Sequence, residues 1–193
     1  TPVLLRNRYG QGTVYISNFA DFPWQPAMRS FHQRMLEHLG DIHGLRLVAS
    51  DTDCINYAVW HEANQTRVHL VNIDWKTAGN RKACTMNLWD QQWTLSVEEG
   101  TVRDIVFTDN IAVTCDAAST FVSRLKSTDS GTWTVELVGD GTPTDVDVFL
   151  RSASVPQVVS NGASLAVSTT DNAYRFTLTA KGRHTVDIRQ DHS

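Results

Sequence analysis

The chain has 193 residues, of which 41% are hydrophobic and 20% charged, and its formal net charge is -4. These values are ordinary for a soluble globular protein with one or two domains. The slight acidity and the scattered Lys and Arg residues argue against nucleic acid or an anionic membrane as a partner. No apolar run is long enough for a membrane-spanning helix, so we expect no membrane partner, and the sequence assigns no compartment.

The first forty residues predict one strand and one helix. Residues 12–17 alternate between polar and apolar side chains, which predicts a strand. Pro26 suits the first position of a helix, and Gly40 suits the left-handed cap that ends one. Between them, apolar residues recur at spacings of three and four: Met28, Phe31, Met35 and Leu39. Because this stripe must pack on another element, we interpret 1–40 as the terminal strand and helix of an α/β domain.

After Gly40 the apolar period changes to 2, which predicts strands to the end of the chain. The strands predicted first are 45–50, 54–61, 67–73, 82–88, 93–98 and 101–107. Those predicted after them are 111–115, 119–125, 132–138, 144–150, 155–159, 164–168, 174–179 and 183–189. Close spacing without helices is typical of antiparallel sandwiches or barrels. We therefore predict a mainly β fold, in which the short βα remnant precedes two small antiparallel β-sandwich units, 41–107 and 108–193.

Turn chemistry separates the later strands. The predicted turns are Asp129-Ser-Gly131, Gly139-Asp-Gly141, Asn161-Gly162 and Lys181-Gly182. Asn161-Gly162 is the strongest hairpin signal, because both residues tolerate positive φ. In residues 144–150, Asp145 and Asp147 alternate with valines, which predicts a half-buried strand with one wet face.

Three close pairs of carboxylates are candidates for acid–base chemistry: Asp51 and Asp53, Glu98 and Glu99, and Asp145 and Asp147. Catalytic carboxylates face each other across a substrate, whereas pairs this close in sequence are usually solvated surface. The loop oxygens around Asp51 and Asp53 could instead hold a structural calcium ion. No other cofactor and no catalytic residue is predicted. His61 and His69 could meet across a hairpin, as a plain cross-strand pair or as metal ligands.

The three cysteines, Cys54, Cys84 and Cys115, are far apart in sequence. An odd count without short spacings disfavours a disulfide framework and a zinc site. We expect three buried thiols that act as small apolar side chains, and the alternative is one disulfide with a remaining thiol.

Tryptophan is the most informative residue type, with six copies. Exposed indoles on a β-sandwich are typical of carbohydrate-binding surfaces, because the apolar face of a sugar ring stacks on them. Trp75 lies in a polar segment with Asn72, Asp74 and Asn80, so these four residues are the predicted carbohydrate contacts. Positions in alternating strands predict that three other tryptophans are buried: Trp60, Trp93 and Trp133.

The order of these features resembles a known arrangement. The segment Arg8-Tyr-Gly-Gln-Gly-Thr-Val-Tyr15, followed by a loop and a helix, resembles the last strand and helix of the amidotransferase-like α/β domain in multidomain glycoside hydrolases. The nearest cases are β-galactosidases with a TIM barrel, an α/β domain and a C-terminal β domain, and the galacto-N-biose phosphorylases are arranged similarly. The segment Thr66-Arg-Val-His-Leu-Val-Asn-Ile73 resembles a strand of the β-sandwich that follows there. The resemblance covers roughly residues 6–75 and implies that the catalytic carboxylates lie in the barrel, so no functional residue transfers to this chain.

The sequence thus predicts the non-catalytic C-terminal region of a carbohydrate-active enzyme, which serves packing, oligomerisation and glycan contact. One alternative is a carbohydrate-binding β-sandwich module centred on Trp75. The other is a stand-alone hydrolase or lyase with an unrecognised site. The expected partners are the remainder of the parent enzyme, a glycan and a second copy of the chain.

Overall fold

The structure is a computed structural model of the chain. It describes residues 4–9, 12–17, 30, 31, 34, 35, 38, 46–49, 55–62, 64–74, 79–116, 119–129, 131–152, 154–170 and 173–190. The chain divides into two compact units, Thr1–Leu47 and Val48–Ser193. Among the described residues the fold is mainly β, with antiparallel sheets that do not close into a barrel. This confirms the predicted fold class.

The first unit contains a hairpin. β1 (Leu4–Tyr9) pairs antiparallel with β2 (Gly12–Ser17), and Tyr9 lies opposite Gly12. β2 has the predicted bounds. β1 was not predicted, because its residues LLRNRY do not alternate cleanly.

The first unit also contains helical residues where a helix was predicted: Ser30, Phe31, Arg34, Met35 and His38. Phe31 and Met35 are half-buried, whereas the three polar positions are exposed, as expected for an amphipathic helix. The remaining stripe residues, Met28 and Leu39, and the predicted terminal residues, Pro26 and Gly40, lie outside the described residues.

Thirteen further strands follow in chain order among the described residues. They are β3 (Arg46–Ala49), β4 (Ile55–His61), β5 (Thr66–Asn72), β6 (Arg81–Leu88), β7 (Gln91–Glu98), β8 (Val102–Phe107), β9 (Ile111–Cys115), β10 (Thr120–Asp129), β11 (Thr132–Leu150), β12 (Pro156–Ser160), β13 (Ala163–Leu165), β14 (Ser168–Thr170) and β15 (Ala173–Gln190). A large sheet of ten strands has the order β13-β12-β15-β11-β9-β8-β5-β4, with β10 paired to β11 and β14 paired to β15. A small sheet has the order β3-β6-β7.

The two longest strands, β11 and β15, pair antiparallel along most of their length, with a register shift between Asp140 and Pro143. The turns predicted at Gly139-Asp-Gly141 and Lys181-Gly182 are therefore wrong as chain reversals, since Gly139 pairs with Gly182 inside the strands. A Cβ atom on Gly139 would lie 2.6 Å from the carbonyl oxygen of Ala180, so the close approach of the strands here requires glycine. Such an irregularity bends a strand and increases its twist.

The bend divides the large sheet into two sections. We define the outer section as β10, β12, β13, residues 132–139 of β11 and residues 182–190 of β15. The central section comprises β4, β5, β8, β9, β14, residues 144–150 of β11 and residues 173–179 of β15. One hydrophobic core joins residues of both sections, for example Trp133 and Val186 of the outer section with Val113 and Val148 of the central one. The sections therefore pack face to face in a sandwich-like arrangement.

The small sheet covers the opposite face of the central section. In β7, Trp93, Leu95 and Val97 are buried and alternate with more exposed residues. The ring of Trp93 stacks on that of Phe149 in β11, with a centroid distance of 4.2 Å. Because Phe149 points away from the face of Val148, the central section is buried on both faces. This explains why residues 111–115 and 146–150 are buried at every position.

Burial on both faces corrects the prediction of a wet face for residues 144–150. Asp145 is half-buried, but Asp147 is 3% exposed. β8 and β9 pair directly across the predicted boundary at residue 107. The sheet is thus continuous there, and the division into 41–107 and 108–193 stays a prediction.

Several turns agree with the sequence. Asn161 and Gly162 have φ values of 51° and 79° and connect β12 to β13, which confirms the predicted hairpin. Trp89 and Asp90, with φ values of 53° and 62°, form a similar turn between β6 and β7. The predicted strands 82–88 and 93–98 left residues 89–92 between them, so β7 begins two residues earlier than predicted.

The described cysteines confirm the expected role. Cys84 and Cys115 are free and buried. Burial raises the pKa of the Cys84 thiol to about 11 and that of the Cys115 thiol to about 12, and nearby Arg103 opposes the shift in both. Both therefore remain protonated at neutral pH. Cys54 lies outside the described residues.

Candidate functional site

Asn72, Asp74 and Asn80, which are predicted sugar contacts together with Trp75, form a hydrogen-bonded cluster. Asn72 is fully buried. Its amide nitrogen donates to the side-chain oxygen of Asn80 (3.0 Å) and to the Val97 carbonyl (3.1 Å). Its side-chain oxygen accepts from the backbone N–H of Asp74 at 3.0 Å. The amide of Asn72 is thus held by partners within the protein.

The other predicted sugar contacts are less buried. The amide nitrogen of Asn80 donates to the carbonyl oxygen of Asp74 at 3.0 Å, and Lys82 Nζ lies 3.3 Å from an Asp74 carboxylate oxygen. The side chains of Asn80 and Lys82 thus both contact Asp74. Trp75 lies outside the described residues, and a carbohydrate contact at this loop stays a prediction.

The structure brings no predicted metal ligands together among its described residues. Asp51 and Asp53 lie outside them, so the calcium site stays a prediction. Within the described ranges, no group of three or more His, Cys, Asp or Glu side chains could hold a metal ion. His61 and His69 do not meet, because His61 lies opposite Thr66 and His69 opposite Ala58.

A charged cluster, which we call the Arg103 cluster, lies on the face of the central section that the small sheet covers. Arg103 of β8 is 5% exposed. Its Nε donates to Thr114 Oγ1 at 3.1 Å, and its Nη2 donates to an Asp147 carboxylate oxygen at 2.9 Å. Its Nη1 donates to the Ser96 carbonyl (2.9 Å) and to Asp116 (3.2 Å). Because Ser96 belongs to β7, this guanidinium joins the small sheet to the central section.

Asp147 also binds a second arginine. Arg175 of β15 donates from Nε and Nη2 to the two carboxylate oxygens of Asp147, at 2.6 and 3.0 Å. This hydrogen bonding raises the pKa of Arg175 above its usual value. Two parallel N–H···O bonds form the strongest arginine–carboxylate geometry. Asp147 is therefore fixed between two cations and is not open to a ligand.

The Arg103 cluster borders a shallow depression. Its space of about 240 Å³ is continuous with solvent, and Arg81, Glu98 and Asp116 are among its lining residues. The contacts of Arg81 are long: 3.4 Å to Ser96 Oγ, 3.5 Å to Asp116 and 3.9 Å to Glu98. Two cations and two carboxylates therefore balance around the depression, so it does not attract a ligand of either charge.

A different surface lies at the edge of the central section, and we call it the Trp60 face. Cross-strand register places Trp60 opposite Arg67, Ala58 opposite His69, and His69 opposite Asp104 on one face of β4, β5 and β8. With Val102, which lies two residues before Asp104, these six side chains define the face. Trp60 is 60% exposed, which shows that the predicted burial of this residue is wrong.

The exposure of Trp60 follows from strand alternation. Ile55, Tyr57 and Val59 share the opposite face of β4, and all three are more buried than Trp60. These three apolar residues alternate with Trp60 along the strand and so mark the buried face. This alternation is a signal in the sequence that could have predicted the exposure of Trp60. Trp93 and Trp133 are 2% and 3% exposed, which confirms their predicted burial.

The polar groups of the Trp60 face hold one another in place. His69 Nδ1 lies 2.5 Å from one Asp104 carboxylate oxygen, and Arg67 Nη1 lies 3.4 Å from the other. Arg67 also donates to the carbonyl oxygens of Val122 (2.6 Å) and Ser123 (3.1 Å). β10 therefore bounds this end of the face. The side chain of His69 remains 31% exposed.

One serine–histidine contact has the chemistry of a nucleophile and its base. Ser160 Oγ and His184 Nε2 are 2.6 Å apart. Ser160 is 6% exposed, because it lies at the end of β12 on the inward face. The contact joins two neighbouring strands.

Comparison with known proteins finds no matching family model, no matching curated protein and no matching solved structure. Among the described residues, no helix is long and apolar enough to cross a membrane.

Proposed function

We propose that this chain is a non-catalytic accessory region of a carbohydrate-active enzyme, in which it packs against the remainder of the enzyme and contacts glycan. The observation that supports the proposal most is the use of charged groups in the Arg103 cluster. Arg103 binds Asp147 and Asp116, and Arg175 binds Asp147 from the other side. These charges join layers of the fold.

A carboxyl group that acts as a general acid or base must face the substrate and exchange protons with it. Glycoside hydrolysis requires two such groups on opposite sides of the scissile bond. Asp147 does not meet this requirement, since both of its oxygens accept from arginines in the interior. The resemblance noted above implies that the catalytic carboxylates of such an enzyme lie in a separate barrel. Both arguments favour an accessory role.

The test uses the full-length gene product that carries this chain. We expect the chain alone to leave chromogenic glycosides unchanged. The full-length product should hydrolyse them or transfer their glycosyl group to phosphate. Deletion of residues 48–193 should lower the melting temperature of the full-length product. Turnover of a glycoside by the isolated chain, above that of a buffer blank, would contradict the proposal.

A stand-alone hydrolase is the second candidate, and the Ser160–His184 contact is the observation that favours it. A serine nucleophile hydrogen-bonded to a histidine is the core of many acyl-transfer sites. Labelling with a fluorophosphonate probe, with Ser160→Ala as the control, decides between the two candidates. We expect no labelling, because Ser160 is buried. Labelling that Ser160→Ala removes would establish the hydrolase.

A further inference from the structure

We infer that the Trp60 face is a binding site for a neutral sugar ring, which stacks on Trp60 while its hydroxyls bond to His69 and Asp104. This inference rests on the proposed function and names the site through which the chain contacts glycan. It moves the contact from the Trp75 loop to the edge of the central section.

The first argument is the indole of Trp60. It is 60% exposed, although an indole is one of the largest apolar surfaces that a side chain can offer. Ala58, two residues earlier on the same face, is also exposed. Its small side chain leaves an open floor between Trp60 and His69. One face of a pyranose is lined by C–H groups, and it can cover an indole without losing any hydrogen bond.

The second argument is the polar edge beside the ring. Trp60 and His69 are diagonal neighbours on paired strands, which places the two residues about 7–8 Å apart, with their Cβ atoms somewhat closer. That separation leaves room for one sugar ring with hydroxyls on its rim. The imidazole of His69 and the carboxylate of Asp104 can then donate to and accept from those hydroxyls, and both are partly exposed.

The third argument is charge. The charges of Arg67 and Asp104 cancel across a 3.4 Å contact. A charged ligand would have to break this pair. A pure hydrocarbon would remove His69 and Asp104 from water without offering them hydrogen bonds in return. A neutral, polyhydroxylated ring satisfies both the apolar and the polar groups.

The fourth argument is preorganisation. Trp60, His69 and Asp104 stand on three adjacent paired strands, and Arg67 is fastened to two carbonyls of β10. A site on rigid elements loses little conformational freedom on binding.

The experiment measures retention of the chain in native gels that contain soluble neutral polysaccharides, together with tryptophan fluorescence during titration with neutral oligosaccharides. Galactose-, glucose- and xylose-based probes form the panel, and uronic acid polymers test for charge. We expect retention by at least one neutral glycan. Trp60→Ala should weaken this binding roughly tenfold or more, and His69→Ala roughly threefold to tenfold. Neither change should lower the melting temperature by more than about two degrees, because both side chains are partly solvated.

Two matched controls accompany these variants. Val155→Ala removes another exposed apolar side chain, 59% exposed and outside the Trp60 face, and should leave binding unchanged. Trp75→Ala tests the loop that the sequence favours, and it should also leave binding unchanged.

Three outcomes would overturn the inference. In the first, a neutral glycan binds but Trp60→Ala retains full affinity, or only Trp75→Ala loses it. In the second, sedimentation shows that Trp60→Ala converts a dimer to a monomer, which makes the face an interface between copies. In the third, no neutral glycan binds. None of them decides the accessory role, which the deletion from the full-length product tests separately.

Discussion

The central and outer sections of the large sheet share two long strands, yet they bury their residues in different ways. In the outer section, buried and more exposed positions alternate, as in residues 132–137 of β11. In the central section, residues 146–150 of the same strand are all buried, and Asp147 among them is held between two arginines. The difference teaches that the number of layers around a strand decides where its charges lie. The strand's own alternation does not decide it.

The test with the largest expected effect compares two aspartates that occupy alternate positions of the same strand. Asp147→Ala leaves Arg103 buried beside an empty space, so we expect a loss of about 3–5 kcal/mol in the free energy of unfolding. Asp145→Ala is the matched control on the same strand face, where the carboxylate is 40% exposed and 3.7 Å from Arg175. It should cost at most about 1 kcal/mol. Urea unfolding of both variants measures the two losses, and equal losses would break the comparison.

A second test uses the buried thiols. Their folded pKa values lie above the ordinary value of 9.0, at about 11 for Cys84 and about 12 for Cys115. Above pH 9 the unfolded chain loses these protons first, so the stabilisation present below pH 9 is lost as the pH rises toward 11 and 12. Each thiol should contribute a fall of about 1.4 kcal/mol per pH unit in that window. Replacement of both by alanine should flatten the slope between pH 9 and 10.5, and an unchanged slope would show that these thiols are not its cause.

A third test concerns the bend between the sections. Gly139→Ala places a Cβ atom 2.6 Å from the Ala180 carbonyl and 2.8 Å from Thr120 Oγ1, so we expect a loss of about 1–3 kcal/mol in unfolding free energy. Lys181→Ala, at an exposed position in the same bend, should stay within about 0.5 kcal/mol. Thermal unfolding compares the two variants. If Gly139→Ala leaves the free energy of unfolding unchanged, the strands can separate here without loss of stability.

The smallest expected effect sharpens the contrast between interior and rim arginines. Arg81 is about half exposed, and its contacts with Asp116 and Glu98 are 3.5 and 3.9 Å long. Arg81→Ala should therefore cost about 0–1 kcal/mol and less at high salt. Urea unfolding at low and high salt checks this. A loss of more than about 2 kcal/mol would show that Arg81 stabilises the fold as a buried arginine such as Arg103 does.

The sequence predicts local features of this fold well. The bounds of β2 and β9 agree with the prediction, and the Asn161-Gly162 hairpin forms as expected. These features depend on neighbouring residues alone. The misplaced features depend on distant residues. The sequence around Gly139 predicts a turn, because the strand partner of this residue, Gly182, lies 43 residues later in the chain. Composition cannot show that two glycines meet inside paired strands.

The candidate site shows the same limit. Trp60 was assigned to the core because strands usually bury tryptophan, although the parity of Ile55, Tyr57 and Val59 indicated the opposite face. Its neighbours His69 and Asp104 come from two other strands, and their register follows only from the assembled sheet. The Arg103 cluster was not predicted for a related reason, since its members lie on five strands and on the residue that follows β9.

The bend in β11 and β15 also decides where this protein tolerates engineering. The segment Gly139-Asp-Gly-Thr-Pro143 has the composition of a linker, and such segments usually accept an inserted tag or a new chain terminus. Here the backbone runs on as a strand on both sides, and each side belongs to a different layer. An insertion would shift the layers against each other. The two-residue turn at Asn161-Gly162, with its open surroundings, is the safer site for a label.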